Sequence, residues 1–225
     1  MTRRPGRAGQ SPDRKEPPTG SLRSCFLMWP GKIAMTLRPW KQKSETVVLR
    51  NPWWTYKRDE FELPSGKKGE YHYVHTNGSS MVIPVLGDGR MLAVKQYRYL
   101  CARESIEFPC GSVKDGSDHE QTARQELAEE TGYSAGELRL AGEFNPYNGV
   151  TDEMCRVFVA RDLRHVGGTP DETEEFEEVP LSSEEIDKLI RNGVIWDGMT
   201  IAAWALARAA LASGRESSPT FLKAD

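Results

Sequence analysis

Short runs of alternating apolar and polar residues fill the first half of the chain, and helical periods dominate its end. Thr46-Val47-Val48-Leu49-Arg50, the run from Trp53 to Leu63, and Tyr71-His72-Tyr73-Val74-His75 read as short strands divided by Pro and Gly turns. Residues 80–86 and 90–97 flank Gly87-Asp88-Gly89, a hairpin signal in which glycine supplies positive φ. Residues 118–131 carry a helical period, and strands are expected near 137–144, 153–160 and 174–181. Helices near 183–192 and 199–213 follow, with a break at Asp197-Gly198. Strands mixed with a few helices in this order predict an α/β fold in which helices cover a mixed sheet, with no internal repeat.

The same pattern divides the chain. Residues 1–34 are rich in Arg, Pro, Gly and Ser and lack a sustained apolar period, so a basic disordered leader is expected over 1–44. Met35 offers an alternative start. A small β-rich region is expected over 45–78, the main domain over 79–213, and a tail over 214–225.

Charge sharpens this division. The leader segment 1–34 holds seven Lys or Arg against two acidic residues, so the formal net charge of −3 conceals a distinctly acidic body. Such a body repels phosphate backbones and argues against nucleic acid as a partner. Its binding a pyrophosphate would call for a divalent cation. The longest apolar stretch, 201–212, is short for a membrane span and contains Arg208. Cys25 to Trp29 is too brief for a signal-peptide core. Cys25, Cys101, Cys110 and Cys155 form no C-x-x-C pair, which suits free thiols in the cytoplasm. His72 and His75 lie three apart on an expected strand, so they face opposite sides and cannot readily share a metal.

Candidate chemistry concentrates between Gly111 and Tyr133. This segment reads as a glycine-bearing loop, a helix with a capping box from Ser117 to Glu120, and a left-handed stop at Gly132. Glu126, Glu129 and Glu130 fall at i, i+3 and i+4 and therefore share one helix face. Three stacked carboxylates repel one another, and either a hard cation or a solvated acidic surface relieves that repulsion. Arg124 points away from the cluster by helical angle.

The segment resembles the Nudix box: a glycine, five residues, a glutamate, seven residues, Arg-Glu, an apolar residue, any residue, Glu-Glu, any residue, glycine and an apolar residue. Gly111, Glu126, Leu127, Glu129, Glu130, Gly132 and Tyr133 match in register, while Ser117 replaces the first glutamate and Gln125 the arginine. The resemblance extends over roughly residues 45–210 and is closest to the ADP-ribose pyrophosphatase branch. Gln96-Tyr97-Arg98 and Glu107-Phe108-Pro109-Cys110-Gly111 are similar to that branch's Gln-Tyr-Arg and Glu-Leu-Pro-Ala-Gly, with Cys110 in place of alanine. Residues 145–153 resemble the loop after the box, 172–177 its acidic catalytic loop, and 193–200 its approach to the last helix.

The resemblance implies a Nudix-like α/β/α sandwich with a mixed sheet, preceded by the small β-rich region. It implies metal ligation by Glu126, Glu129, Glu130 and the carbonyl of Cys110, with Mg2+ as cofactor and Mn2+ as a substitute. Catalysis would fall to Glu172 or Glu174, with Glu129 among the catalytic carboxylates, and substrate binding to Arg98, Glu107, Glu153, Trp53 and Trp54. The expected reaction is hydrolysis of ADP-ribose to AMP and ribose 5-phosphate by a cytoplasmic homodimer. Three bland alternatives stand beside these roles: a surface ion pair for Arg98 and Glu107, a solvated acidic loop for 172–178, and simple packing for Trp53 and Trp54. The rival functions are hydrolysis of another nucleotide sugar or a dinucleotide, and a non-catalytic nucleotide-sugar sensor motivated by Ser117 and Gln125.

Overall fold

The computed structural model describes residues 37–167 and 175–212. Most of the expected leader with the alternative start at Met35, the carboxylates Glu172 and Glu174, Cys25 and the tail 214–225 lie outside these residues. Every element belongs to the unit that begins at Trp40.

Three strands come first: β1 (Lys41–Arg50), β2 (Thr55–Glu62) and β3 (Lys68–His75), in an antiparallel sheet of order β1-β2-β3. The first begins earlier than the Thr46 expected from apolar content, because polar residues such as Lys41 and Gln42 still pair in register with Glu62 and Phe61. Trp53 and Trp54 belong to the turn before β2 and not to the strand itself. His72 and His75 bond separate partners, Tyr56 and Asp152.

Two further sheets form the main body. A mixed sheet has the order β7-β4-β9-β8, built from β4 (Ser79–Pro84), β7 (Cys110–Ser112), β8 (Tyr133–Phe144) and β9 (Cys155–His165). β4 runs parallel to β9 and antiparallel to β7. The other sheet, β10-β5-β6, contains β5 (Met91–Arg98), β6 (Arg103–Glu107) and β10 (Glu177–Leu181), all antiparallel. Three helices complete the fold: α1 (His119–Thr131), α2 (Ser183–Arg191) and α3 (Gly198–Ala212).

Side-chain alternation along β4 explains the layering. Val82 packs with Ala123 and Leu127 of α1 and with Phe158 and Ala160 of β9. Met81 and Ile83 face the opposite core, where Ala203, Trp204 and Ala207 of α3 meet Met91 and Ala93 of β5 and Ile186 of α2. The expected mixed α/β architecture is therefore present. Among the described residues, no helix is long and apolar enough to cross a membrane.

Local turn chemistry is legible at Gly87-Asp88-Gly89, yet the expected hairpin is only a corner. Leu86 N–H donates to Arg90 O at 2.8 Å, and one bridge joins Val85 to Met91, after which the strands enter different sheets. β4 is buried along its whole length and takes β7 and β9 as neighbours, leaving no edge for β5. Strands β6 and β7 were not expected. The helix cap also shifts by one residue: Asp118, and not Ser117, accepts from Gln121 N–H at 2.8 Å, while Gln121 reaches back to Asp118 N–H. Asp118 has the extended backbone of a capping residue, and its side chain reaches the third helical residue.

Candidate active site

The site is assembled around the short strand β7. Pairing with β4 places Cys110 opposite Met81 and Gly111 opposite Ser80, and Val82 N–H donates to Pro109 O at 2.8 Å. This pins the segment from Glu107 to Ser112 over the C-terminal half of α1. Ala123 and Leu127 seat that helix on the sheet, and Gly132 ends it with φ of 70°, its N–H reaching Ala128 O.

The helix face above β7 carries the three glutamates. The carboxylate of Glu126 lies against Gly111, where a Cβ would stand 2.0 Å from Oε1 and push the carboxylate aside. Glu130 is buried, and its Oε1 accepts from Cys110 N–H at 3.3 Å. Glu129 accepts from Gln125 Nε2 at 2.8 Å. Gln125 therefore neutralises none of the cluster's charge where arginine would. Arg124 is turned away and bonds Glu120 and Ala135 O. Among the described residues, no three His, Cys, Asp or Glu side chains converge closely enough to form a ready metal cage.

Cys110 contributes to this region through its backbone. The neighbouring Cys155 thiol, followed by burial, pushes its own thiol well above the ordinary value, so the sulfur is a neutral group facing the core. Cys101, Cys110 and Cys155 are all free.

Arg98 and Glu107 form the second half of the site. Arg98 ends β5 and Glu107 ends β6, and their side chains make a two-point contact: Nε donates to Oε1 at 2.8 Å and the guanidinium Nη2 to Oε2. Gln96 adds a bond to Glu107 Oε2 at 3.5 Å. Glu107 is only 3% exposed while the Arg98 side chain is about half exposed, so a buried carboxylate anchors a guanidinium that reaches the surface. Bonding to Glu107 raises the Arg98 pKa against the opposing effect of burial, with Asp197 adding negative charge nearby. Asp197 caps α3 by accepting from Thr200 N–H at 2.7 Å.

Strand β10 is anchored beside this pair. Glu177 pairs in register with Lys95, and their side chains bond at 2.5 Å, one residue before Gln96. Across the mixed sheet, Glu153 accepts from Ser79 Oγ at 2.6 Å. Trp53 and Trp54 stand apart on the β1–β2 turn, where Asn51 Oδ1 accepts from both backbone N–H groups at 2.9 Å. Trp53 is 77% exposed and Trp54 40%.

Several residues of this arrangement escaped the sequence reading. Ser79 and Ser80 are buried polar residues heading an apolar strand, and that conspicuous pair was the available signal. His119 Nδ1 lies 3.0 Å from Ser80 Oγ and 3.1 Å from Ser79 O, fixing the start of α1 to β4. Burial, then the nearby Arg156 charge, lowers its pKa below the ordinary 6.5.

Comparison with known proteins identifies the family of two consecutive segments. Residues 75–201 match the NUDIX domain, and residues 40–74 match the nucleoside diphosphate sugar hydrolase N-terminal domain. An ADP-ribose pyrophosphatase of Bacillus subtilis (strain 168) is 33% identical over 147 residues, covering 64% of this chain and 80% of the relative. A GDP-mannose pyrophosphatase of Citrobacter koseri is 27% identical over 164 residues, covering 68% and 84%. The crystal structure of an ADP compounds hydrolase superposes with a TM-score of 0.71 at 20% identity, covering 80% of this chain and 98% of the other.

Proposed function

The chain belongs to the NUDIX family as a pyrophosphohydrolase, and from that premise we propose that it cleaves the pyrophosphate of a nucleoside diphosphate sugar, with ADP-ribose as substrate. The carrying observation is the acidic face of α1 packed against β7, with Glu126 over Gly111 and Glu130 on Cys110 N–H.

This donor set fits a hard divalent cation, since carboxylates and a backbone carbonyl are oxygen ligands. Gly111 also clears the space above β7 that any side chain would fill. Glu126, Glu129, Glu130 and the carbonyl of Cys110 would hold Mg2+, with Mn2+ able to replace it. When bound, the ion supplies positive charge against the pyrophosphate and favours ionisation of water.

The chain's own groups would do the rest. Glu172 or Glu174 takes a proton from water as its oxygen attacks one phosphorus in line, and the bridging P–O bond breaks to leave AMP and ribose 5-phosphate. Arg98, held in plane by Glu107, neutralises phosphate charge, as a two-point grip fixes a guanidinium better than one contact does. Glu153 meets the distal sugar.

We also propose a cytoplasmic homodimer. Val47, Val48 and Leu49 on β1 are about half exposed, an apolar strip that a second copy would cover, and exchange of this sheet would carry Trp53 or Trp54 to the nucleotide base of the partner's site. Sedimentation showing a stable monomer at micromolar concentration would remove this part.

Product analysis tests the reaction. With ADP-ribose and Mg2+, the native protein should release AMP and ribose 5-phosphate, and Glu130→Gln should lower kcat at least about 100-fold, roughly 2.7 kcal/mol. A panel including GDP-mannose separates the substrate rivals. Binding without turnover across the panel would instead support a sensor.

A further inference from the structure

Residues 145–154 join β8 to β9, yet their middle is laid along the end of β3. Val74 N–H donates to Val150 O at 2.8 Å, Asp152 N–H returns to Val74 O at 3.3 Å, and Val74 bridges Thr151 in parallel. Tyr71 OH adds a bond to Gly149 O at 3.1 Å. The loop is thus docked on the N-terminal sheet through one bridge.

Two consecutive carboxylates then clamp it to the connector leaving β3. Asp152 accepts from His75 Nδ1 at 2.7 Å and from Thr76 N–H at 3.4 Å. Glu153 accepts through Oε1 from Ser79 Oγ at 2.6 Å. Ser79 is buried and is itself fixed, its N–H donating to Met154 O at 3.1 Å. Between these anchors the chain turns at Gly78, with φ of 96°. A Cβ there would meet Met154 O at 2.8 Å and His119 Cε1 at 2.9 Å, so connector, loop and helix start are packed without slack.

Asp152 and Glu153 bond different partners, so one carboxylate can hold the loop while the next serves another purpose. Among the described residues only Oε1 of Glu153 has a hydrogen-bond partner, which leaves Oε2 to accept from a hydroxyl. We infer that Asp152 and Ser79 are positioning residues that aim Glu153 at a hydroxyl of the substrate's distal sugar, and that the N-terminal sheet, through His75, sets the geometry of that subsite. The inference rests on the reading that Glu153 meets substrate.

Such a role predicts a split between affinity and turnover. Glu153 touches a part of the substrate remote from the scissile bond, so loosening it weakens binding in ground and transition states alike. Asp152→Ala should raise KM for ADP-ribose about tenfold with kcat within about twofold. Ser79→Ala should act in the same direction. Asp152→Asn, which still accepts from Thr76 N–H, should recover most of the affinity. His75→Ala, at a half-exposed residue, gives a second test should Asp152→Ala fold poorly.

The measurements are steady-state kinetics, thermal melting and amide hydrogen exchange on each variant. Exchange at the Val74 and Asp152 amides should quicken in Asp152→Ala while the amides of α1 keep native protection. An unchanged KM in both Asp152→Ala and His75→Ala, or a fall in kcat alone, overturns the inference. If the native protein turns over no nucleotide sugar, the proposed reaction fails separately, and unchanged exchange at Val74 and Asp152 would still overturn the clamp.

Discussion

Strand β1 exposes all ten of its residues, whereas every residue of β4 is buried. The N-terminal sheet is joined by polar contacts across its strands: Lys43 with Glu62 and Lys57 with Glu45, each at 3.1 Å, and Gln42 with Asp59 at 2.6 Å. Tyr73 OH donates to Glu45 and Asp59, and burial followed by those two charges pushes its phenol up, so it stays a neutral donor. Around β4 the contacts are apolar and close on both faces. Exposed ion pairs contribute about 0–1 kcal/mol each, against about 1.5–3 kcal/mol for one fully buried aliphatic side chain. The central sheet therefore anchors the fold, and the N-terminal sheet gains its importance from what it holds in place.

Stability measurements can break that contrast most decisively. Leu127→Ala, emptying space beneath β4, should lower unfolding free energy by about 3 kcal/mol, while Lys43→Ala should cost under about 1 kcal/mol. Comparable losses in denaturant titrations would mean that the two sheets are stabilised alike.

Glycines sharpen the contrast in activity. Gly111→Ala would drive a methyl into the Glu126 carboxylate and should cut kcat at least about tenfold, or roughly 1.4 kcal/mol, with little change in melting. Gly69→Ala would strike the Phe61 ring, at 2.6 Å from Cζ, and displace its stack on Trp40. Because glycine there lies beneath an aromatic cover, its loss should cost about 1 kcal/mol of stability and leave kcat intact. The reverse pattern would remove Glu126 from the proposed chemistry.

The smallest effect concerns pH. His119 has a lowered pKa in the folded chain, so below about 6.5 the unfolded chain binds more protons. Its contribution to stability is complete above 6.5 and declines as pH falls from 6.5 through the folded value. His119→Asn should flatten this part of a stability-versus-pH curve, and an unchanged slope would show that other groups set it.

The long periodic segments were legible because burial follows their period: α1, α2, α3 and most strands lie within a few residues of expectation. Short elements were not. Arg103-Glu104-Ser105-Ile106-Glu107 holds a single aliphatic residue, and Cys110-Gly111-Ser112 is too brief to show alternation, so β6 and β7 exist through their partners. The Gly87-Asp88-Gly89 corner illustrates the same limit, since turn chemistry is local but strand pairing is not. In the site, helical spacing alone put Glu126, Glu129 and Glu130 on one face, and the pairing of Arg98 with Glu107 was expected only as an ion-pair alternative to their binding roles. The bonds from His75 to Asp152 and from Ser79 to Glu153 join residues far apart in sequence and leave no local trace.

The parallel pairing of β4 with β9 also sets an order of events during synthesis. Ser79 pairs with Cys155, so the strand at the heart of the molecule emerges long before its principal neighbour. At about 5–20 residues per second, translation of the intervening segment takes on the order of ten seconds. Throughout that interval one edge of an apolar strand stands open, while β1, β2 and β3, paired to adjacent segments, can already close. A ribosome pause near β8 would lengthen the exposure and favour aggregation of the nascent chain, whereas a pause after His165 would leave the central pairing free to form.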